Sequence, residues 1–575
     1  MILSQKKLLN LLYPLFIVLW ILIFSRQNFA QGFDFTDSTL TYHFSLKVLE
    51  GYIPFKDFHT TVLPFTYYLG AFFHLIFGKS LLVNNYAGLA CLIAEAILVY
   101  LIIKEFVSNK FDSFIITLFL ITLLYTLQGS IFLTYKPLAY ALALLSIYLS
   151  IISLTKTNLS FITGVTSFLT FFTLQSLGLA IIIAYVSFLV ILYIYDVFDR
   201  KLILRIFLKY FIGLLLFSIP IIIYYSHHQV LEEIKYILLT SSERKGLSNN
   251  NFLQIFNSLY PALDSETLKA TLLFSIFLII ALIKFTKRYL LFTYVLISLV
   301  GILGYFQSGI VSHIALIIFF ESPKIIMTFF IIYYIFSKSK KSYVRGFLLT
   351  IMIAASVFVM ELSWPGPGYK LTVFSGIYLY LLPFLGLKSI NIRSNLFKFI
   401  SLRFVLVLIN LIFLVFNLIS PKKNIYREFE PDTIISLPPY LNNRTISSKH
   451  KTAINEIKKN YNNYCLNKNT FIFSWAPILY DLLETNNPTK YDMPNHDWIT
   501  LSEGQKIINQ LRNNPPCFLI LDEESTFNEK RMYFFPAKGM KAISKFLREE
   551  LLKKYKFIQN FETHNKNFYI FYKNQ

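Results

Sequence analysis

Charge is scarce. Asp, Glu, Lys and Arg make up 15% of the 575 residues, where a soluble chain carries about 25%. That excludes an ordinary water-soluble enzyme and a disordered chain. Cysteine is almost absent, with three in all, which excludes a disulfide scaffold. No CxxC pair and no Cys/His cluster offers a zinc site. There is no internal repeat and no low-complexity tract. A cleaved signal peptide is not expected either. The first apolar run, Leu8 to Phe24, is longer than a signal core of roughly 7–15 residues, and Asn28-Phe29-Ala30 is a poor cleavage site.

Apolar residues, by contrast, reach 55%, and Phe, Tyr and Trp together 18%. The chain therefore reads as a polytopic membrane protein with a smaller water-exposed part, its partner being the lipid bilayer. The formal net charge is 54 − 32 = +22. Residues 1–420 hold 31 basic and 16 acidic residues, and residues 421–575 hold 23 and 16. A charge split in this way fits basic cytoplasmic loops better than a nucleic-acid surface, and no nucleic-acid partner is expected.

A helix needs about 20 apolar residues to cross a bilayer. The run from Leu8 to Phe24, preceded by Lys6 and Lys7, is read as the first span, its N-terminus cytoplasmic. Twelve more follow at roughly 82–104, 113–128, 137–154, 158–175, 177–196, 206–226, 267–284, 289–308, 314–336, 345–361, 371–387 and 397–419. The stretch 62–77 is short and contains Pro64. If it does not span, every basic loop cluster falls inside: Lys104 and Lys110, Lys156, Arg200 to Arg205, Lys284 to Arg288, Lys338 to Arg345, and Lys388 to Lys398. It is therefore expected to dip into or lie along the outer leaflet. The outside segments are then 27–81, 129–136, 227–266, 309–313, 362–370 and the tail.

The expected fold is thus an all-α membrane domain over 1–420, with about thirteen spans, and a small extracytoplasmic α/β domain over 421–575. In the tail, Thr470 to Ser474, Cys517 to Leu521 and Asn567 to Tyr572 read as strands, and Lys538 to Lys554 as a helix. If the first two strands are parallel neighbours, Cys465 and Cys517 enter them from the same end and can form a disulfide. The alternative is two unpaired cysteines packed under their strands. Cys91, within an apolar run, reads as an inert core residue.

Acidic residues are few in the membrane part. Four of its sixteen lie in the first outside loop: Asp34, Asp37, Glu50 and Asp57. Such a cluster at a membrane surface can supply a general base. It can equally be a solvated loop with caps, Asp37 capping a helix from Ser38 to Leu49. Glu95 lies within a span, so it should face the bundle interior. There it serves either a proton path or a neutral structural role.

The loop also carries a pattern. It runs Gly32-Phe-Asp-Phe-Thr-Asp-Ser-Thr-Leu-Thr-Tyr, then Val48-Leu-Glu-Gly-Tyr-Ile-Pro-Phe-Lys-Asp-Phe, then Pro64-Phe-Thr-Tyr-Tyr-Leu and Leu75-Ile-Phe-Gly78. Over these fifty or so residues it resembles the first outer loop of GT-C glycosyltransferases, membrane enzymes such as protein O-mannosyltransferases and the aminoarabinose transferase of lipid A. The resemblance implies an inverting glycosyltransferase whose donor is a polyprenyl-phosphate sugar and whose acceptor is a glycan, lipid or protein outside the membrane. It implies that Asp37, at the place of the first acid of the family's pair, is the catalytic base. Ser38 stands where the family has its second acid, so a divalent metal gains no support and no cofactor is expected. Asp34, three residues earlier, is the compensating acid. Asp57 matches the Asp of the Pro-Tyr-x-Asp-Phe element, either touching substrate or holding the loop.

A lipid-phosphate leaving group needs cationic partners. Arg244 and Lys245 lie in the 227–266 loop, and His313 and Lys324 near the outer end of a later span. Arg244 is preferred, since a guanidinium binds phosphate bidentately. Each also has a bland role in snorkelling to headgroups. Two other functions compete. One is a transporter or flippase for a lipid-linked glycan, which Glu95 fits, although no paired Gly/Pro-broken spans are present. The other is a non-catalytic membrane protein with a degenerate site.

Overall fold

The computed structural model describes residues 5–29, 37–107, 109–128, 133–240, 344–363, 448–465, 469–474, 476–494, 499–527, 538–562 and 567–573. The expected spans at 267–284, 289–308, 314–336, 371–387 and 397–419 lie outside them.

The apolar runs form helices. They are α1 (Gln5–Phe29), α2 (Asp37–Leu49), α3 (Phe65–Phe77), α4 (Leu81–Phe106), α5 (Lys110–Gln128), α6 (Tyr135–Ser153), α7 (Leu159–Thr173), α8 (Gln175–Ile194), α9 (Arg200–His227), α10 (Leu231–Leu239) and α11 (Val344–Ser363). Among the described residues, four are long and apolar enough to cross a bilayer: α4, α6, α8 and α9. Helix α3, with 13 residues, is about 20 Å long at 1.5 Å per residue. That falls short of a hydrocarbon core of ~30 Å. Helix α9 leaves Leu204, Leu208, Ile212, Leu216, Ile219 and Ile223 exposed along its length, the composition of a lipid-facing stripe. Glu95 of α4 is 1% exposed and points inside the bundle, as a charge in a span must.

The turns alternate between two ends of the bundle. At one end, Gln175 at the start of α8 donates to Thr61 O (2.9 Å), and the Leu133 N–H before α6 donates to Asn84 O near the start of α4 (3.0 Å). At the other end, Arg345 of α11 pairs with Glu105 of α4 (3.5 Å).

The C-terminal domain is α/β. Helix α12 (Ser448–Tyr464) precedes β1 (Thr470–Phe473), α13 (Ile478–Leu483), α14 (Leu501–Asn513), β2 (Phe518–Asp522), α15 (Lys538–Phe546), β3 (Tyr555–Glu562) and β4 (Asn567–Lys573). A single turn at Glu523–Thr526 follows β2. The sheet order is β1-β2-β4-β3. Strands β1 and β2 are parallel, with Thr470 opposite Phe518 and Phe473 opposite Leu521; β4 is antiparallel to both of its neighbours. Strands β1 and β2 are buried on both faces. Ile472 and Ile520 pack with Ile454, Ile457 and Tyr480 on one face. Phe471, Phe473, Leu519 and Leu521 pack with Ile507, Leu511 and Ile543 on the other. The helix expected over Lys538 to Lys554 is regular only to Phe546, then loosens into a π turn (Leu547–Leu551) and a 3₁₀ turn (Leu552–Lys554). Cys465 and Cys517 form a disulfide, their Cα atoms 5.5 Å apart, which resolves the alternatives left by the sequence. Cys91 is free and buried.

Candidate functional site

The first loop, 27–81, carries α2, which Asp37 opens. The helix ends at Leu49. Gly51 follows at φ +92°, a conformation that costs glycine little and other residues more. Beyond it, the Asp57 carboxylate accepts the Ile53 N–H at 2.7 Å, and the Asp57 N–H donates to Ile53 O at 2.9 Å. Asp57 therefore closes the turn that the Pro54-Phe55 segment makes. Glu50, the fourth acid of the loop, pairs with Lys79 at the surface (2.9 Å). Asp34, Arg244, Lys245, His313 and Lys324 lie outside the described residues, as does the side chain of Asp37.

Thr39 to Leu46 are all buried, so α2 is covered on every face rather than on one. Three pairs at i, i+4 spacing divide its surface. Leu40 and Phe44 join the core of the membrane domain, with Phe58, Tyr67, Ala139 and Ile181. Tyr42 and Leu46 join the core of the C-terminal domain, with Ile472, Tyr480 and Ile520. His43 and Lys47 meet the acids of that domain. His43 Nδ1 lies 2.8 Å from Asp481 Oδ2, and its Nε2 3.3 Å from Asp492 Oδ2. Lys47 pairs with the same Asp492 oxygen, and Asn487 donates to the other at 3.0 Å. The helix packs closely on α3: an added Cβ at Gly70 would stand 2.1 Å from Ser45 Oγ.

Burial opposes charge on His43, but Asp481 and Asp492 outweigh it and raise its pKa from 6.5 to about 9. Asp492 is buried as well, yet Lys47 and His43 hold its carboxyl well below the usual carboxylate range. Around the buried His43–Asp492 pair, two basic side chains thus meet two carboxylates.

A second cluster lies alongside. His59 Nε2 is 3.8 Å from Glu503 Oε1. Glu503, fully buried, also completes a capping box with Thr500 at the start of α14. Lys490 bonds Glu233 of α10 (3.0 Å) and Phe55 O (3.3 Å), while Lys490 O accepts the His59 N–H (2.7 Å). Tyr236 of α10 meets the Thr500 hydroxyl at 2.8 Å. Ligand atoms of His59, Glu233 and Glu503 lie within 4.8 Å of one another, a donor set suited to a divalent ion. Lys490 already brings a positive charge to Glu233 there.

Neither cluster was visible along the chain. His43 and Asp492 are 449 residues apart, and the carboxylates that answer the loop belong to the tail. The available signal was the pairing of His43 with Lys47 one turn apart on a helix otherwise apolar or hydroxylic.

No family model matches the chain, and no curated protein matches it in sequence.

Proposed function

We propose that the protein is an inverting glycosyltransferase of the membrane that takes a sugar from a polyprenyl-phosphate donor and attaches it to an acceptor outside. In this proposal thirteen helices span the membrane, the N-terminus is cytoplasmic, and the C-terminal domain is extracytoplasmic. Asp37 accepts the proton of the acceptor hydroxyl while that oxygen attacks the anomeric carbon. The bond to the phosphate breaks on the opposite face, so the product is inverted. Arg244, Lys245, His313 and Lys324 offer cations for the departing lipid phosphate.

The observation that carries this reading is the placement of α2. The helix that opens with Asp37 is held between the membrane domain and a folded C-terminal domain, next to a helix too short to cross. From Asp37 to Gly78 the loop that resembles GT-C enzymes is a folded unit here, with its glycine at positive φ and its Asp57 turn. Such a unit gives an active-site loop the rigid support that precise chemistry needs.

The test is to supply the purified protein with labelled undecaprenyl-phosphate hexoses and pentoses. Transfer or slow hydrolysis is expected. Uptake into vesicles without either reaction would instead favour a lipid-glycan transporter. A specific observation favours that second reading: both carboxyl oxygens of buried Glu95 lack a hydrogen-bond partner among the described residues.

A further inference from the structure

Four side chains of α2, Tyr42, His43, Leu46 and Lys47, meet the C-terminal domain, and two, Leu40 and Phe44, pack into the membrane domain. The helix therefore cannot take its place by local folding alone. Its position depends on both domains, and the polar part of its contact with the tail is one buried network. His43 is 1% exposed and Asp492 1%. Each His43 nitrogen faces a different carboxylate, which fixes the ring in plane and tilt. Lys47, one turn further on, shares Asp492, which fixes the rotation of the helix about its axis. A hydrophobic contact tolerates sliding, whereas paired charges in a buried site do not. Asp37 lies six residues before His43 on this helix, so a roll of α2 moves it too.

We propose that His43 and Lys47 are positioning residues: through Asp481 and Asp492 the C-terminal domain sets the register of α2, and so the placement of Asp37. This rests on the proposed function for its catalytic consequence, though the docking itself does not. The C-terminal domain then acts as part of the active-site scaffold. Its tail acids matter to a reaction none of them touches. The charge balance is internal: two cations from the loop meet two anions from the tail, so no further ion is required.

The experiment uses the full chain in lipid nanodiscs, with hydrogen exchange of the α2 and β2 amides as the first readout. His43→Gln keeps a hydrogen-bonding side chain, removes the cation and leaves the tail sequence untouched. Exchange of α2 is expected to rise at least tenfold while β2 stays protected. Unchanged α2 exchange in both His43→Gln and Asp492→Asn overturns the proposal. If Asp492→Asn unfolds the tail, His43→Gln alone decides.

The second readout is transfer from labelled undecaprenyl-phosphate sugars. His43→Gln should lower kcat and leave the KM for the lipid donor unchanged. It should add nothing to Asp37→Asn, because both act through one group. Full additivity of the two substitutions overturns the link to Asp37. If Asp37→Asn transfers normally, the base assignment fails and this proposal loses its catalytic half. The exchange data then judge the docking half by itself.

Discussion

Replacing Asp37 by Asn preserves shape and removes a proton acceptor. Transfer should fall about 10²–10⁴-fold, the usual worth of a general base, and single-turnover assays would measure it. Retained activity in Asp37→Asn beside a dead Asp34→Asn would move the base to Asp34, three residues earlier. His43 allows a prediction about pH. Its proton is held up to about pH 9 in the docked state, against an ordinary value of 6.5. Its contribution to docking is therefore full below about 6.5 and is lost as pH rises toward 9. The contribution of Asp492 runs the other way: present above the ordinary carboxylate value, it is lost as pH falls below it. Exchange of α2 amides, corrected for intrinsic rate, should rise between pH 6.5 and 9.5 in the wild type. In His43→Gln it should be flat across that range. At the residue scale the loop acids were legible, because polar groups beside apolar runs stand out. Their tail partners were not, because nothing along a chain says which distant carboxylate will meet which imidazole.

Helices and strands were legible where a single face or a single length decides them. Lengths near 20 apolar residues mark α4, α6, α8 and α9 without any periodicity, since lipid and core are alike apolar. Fully buried strands such as β1 and β2 show as short β-branched and aromatic runs. Strand β3 was missed because Lys556, Gln559 and Asn560 break its pattern, as an edge strand permits. Helices α12 and α14 were missed because each pays out only a thin apolar stripe, in α14 Ile507, Ile508 and Leu511. Helix α2 was expected in a loop at the membrane surface, yet it is enclosed, because a second domain covers the face that a loop would leave wet. Its contact with α3 gives an element-scale prediction. Gly70→Val must displace Ser45 or push α2 away, so α2 exchange should rise without loss of β2 protection. The disulfide gives another. It closes 52 residues, for which the chain-entropy estimate is about 4 kcal/mol. Cys465→Ser with Cys517→Ser should lower the unfolding free energy of the tail by that order, and reductant should then change nothing more.

At the scale of the whole molecule, the sidedness of the tail is the question on which the rest depends. Three segments assigned to one side of the membrane by loop charge meet in space. His59 of the first loop reaches Glu503, Glu233 and Tyr236 of α10 reach Lys490 and Thr500, and the tail supplies all three partners. The basic residues Lys104, Lys156, Arg200 and Arg345 belong to the turns of the other end of the helices. Loop charge could have been misread in absolute sign, but such an error would move the three segments together. The disulfide adds an argument of a different kind, since stable bridges belong to oxidising compartments. The proposed topology places the tail outside the cytoplasm, and a disulfide there is consistent with it. Alkaline phosphatase fused after Gln575 should therefore be active, and a fluorescent protein that folds only in the cytoplasm should stay dark there. The same pair of reporters placed after Lys156 should give the opposite result. If the tail reporter is cytoplasmic, the donor must be sought on the inner leaflet, and Asp37 would face a reducing compartment in which Cys465 and Cys517 stay apart. A thiol-labelling assay on intact cells would read that outcome independently, because both cysteines would then react once the protein is denatured without reductant.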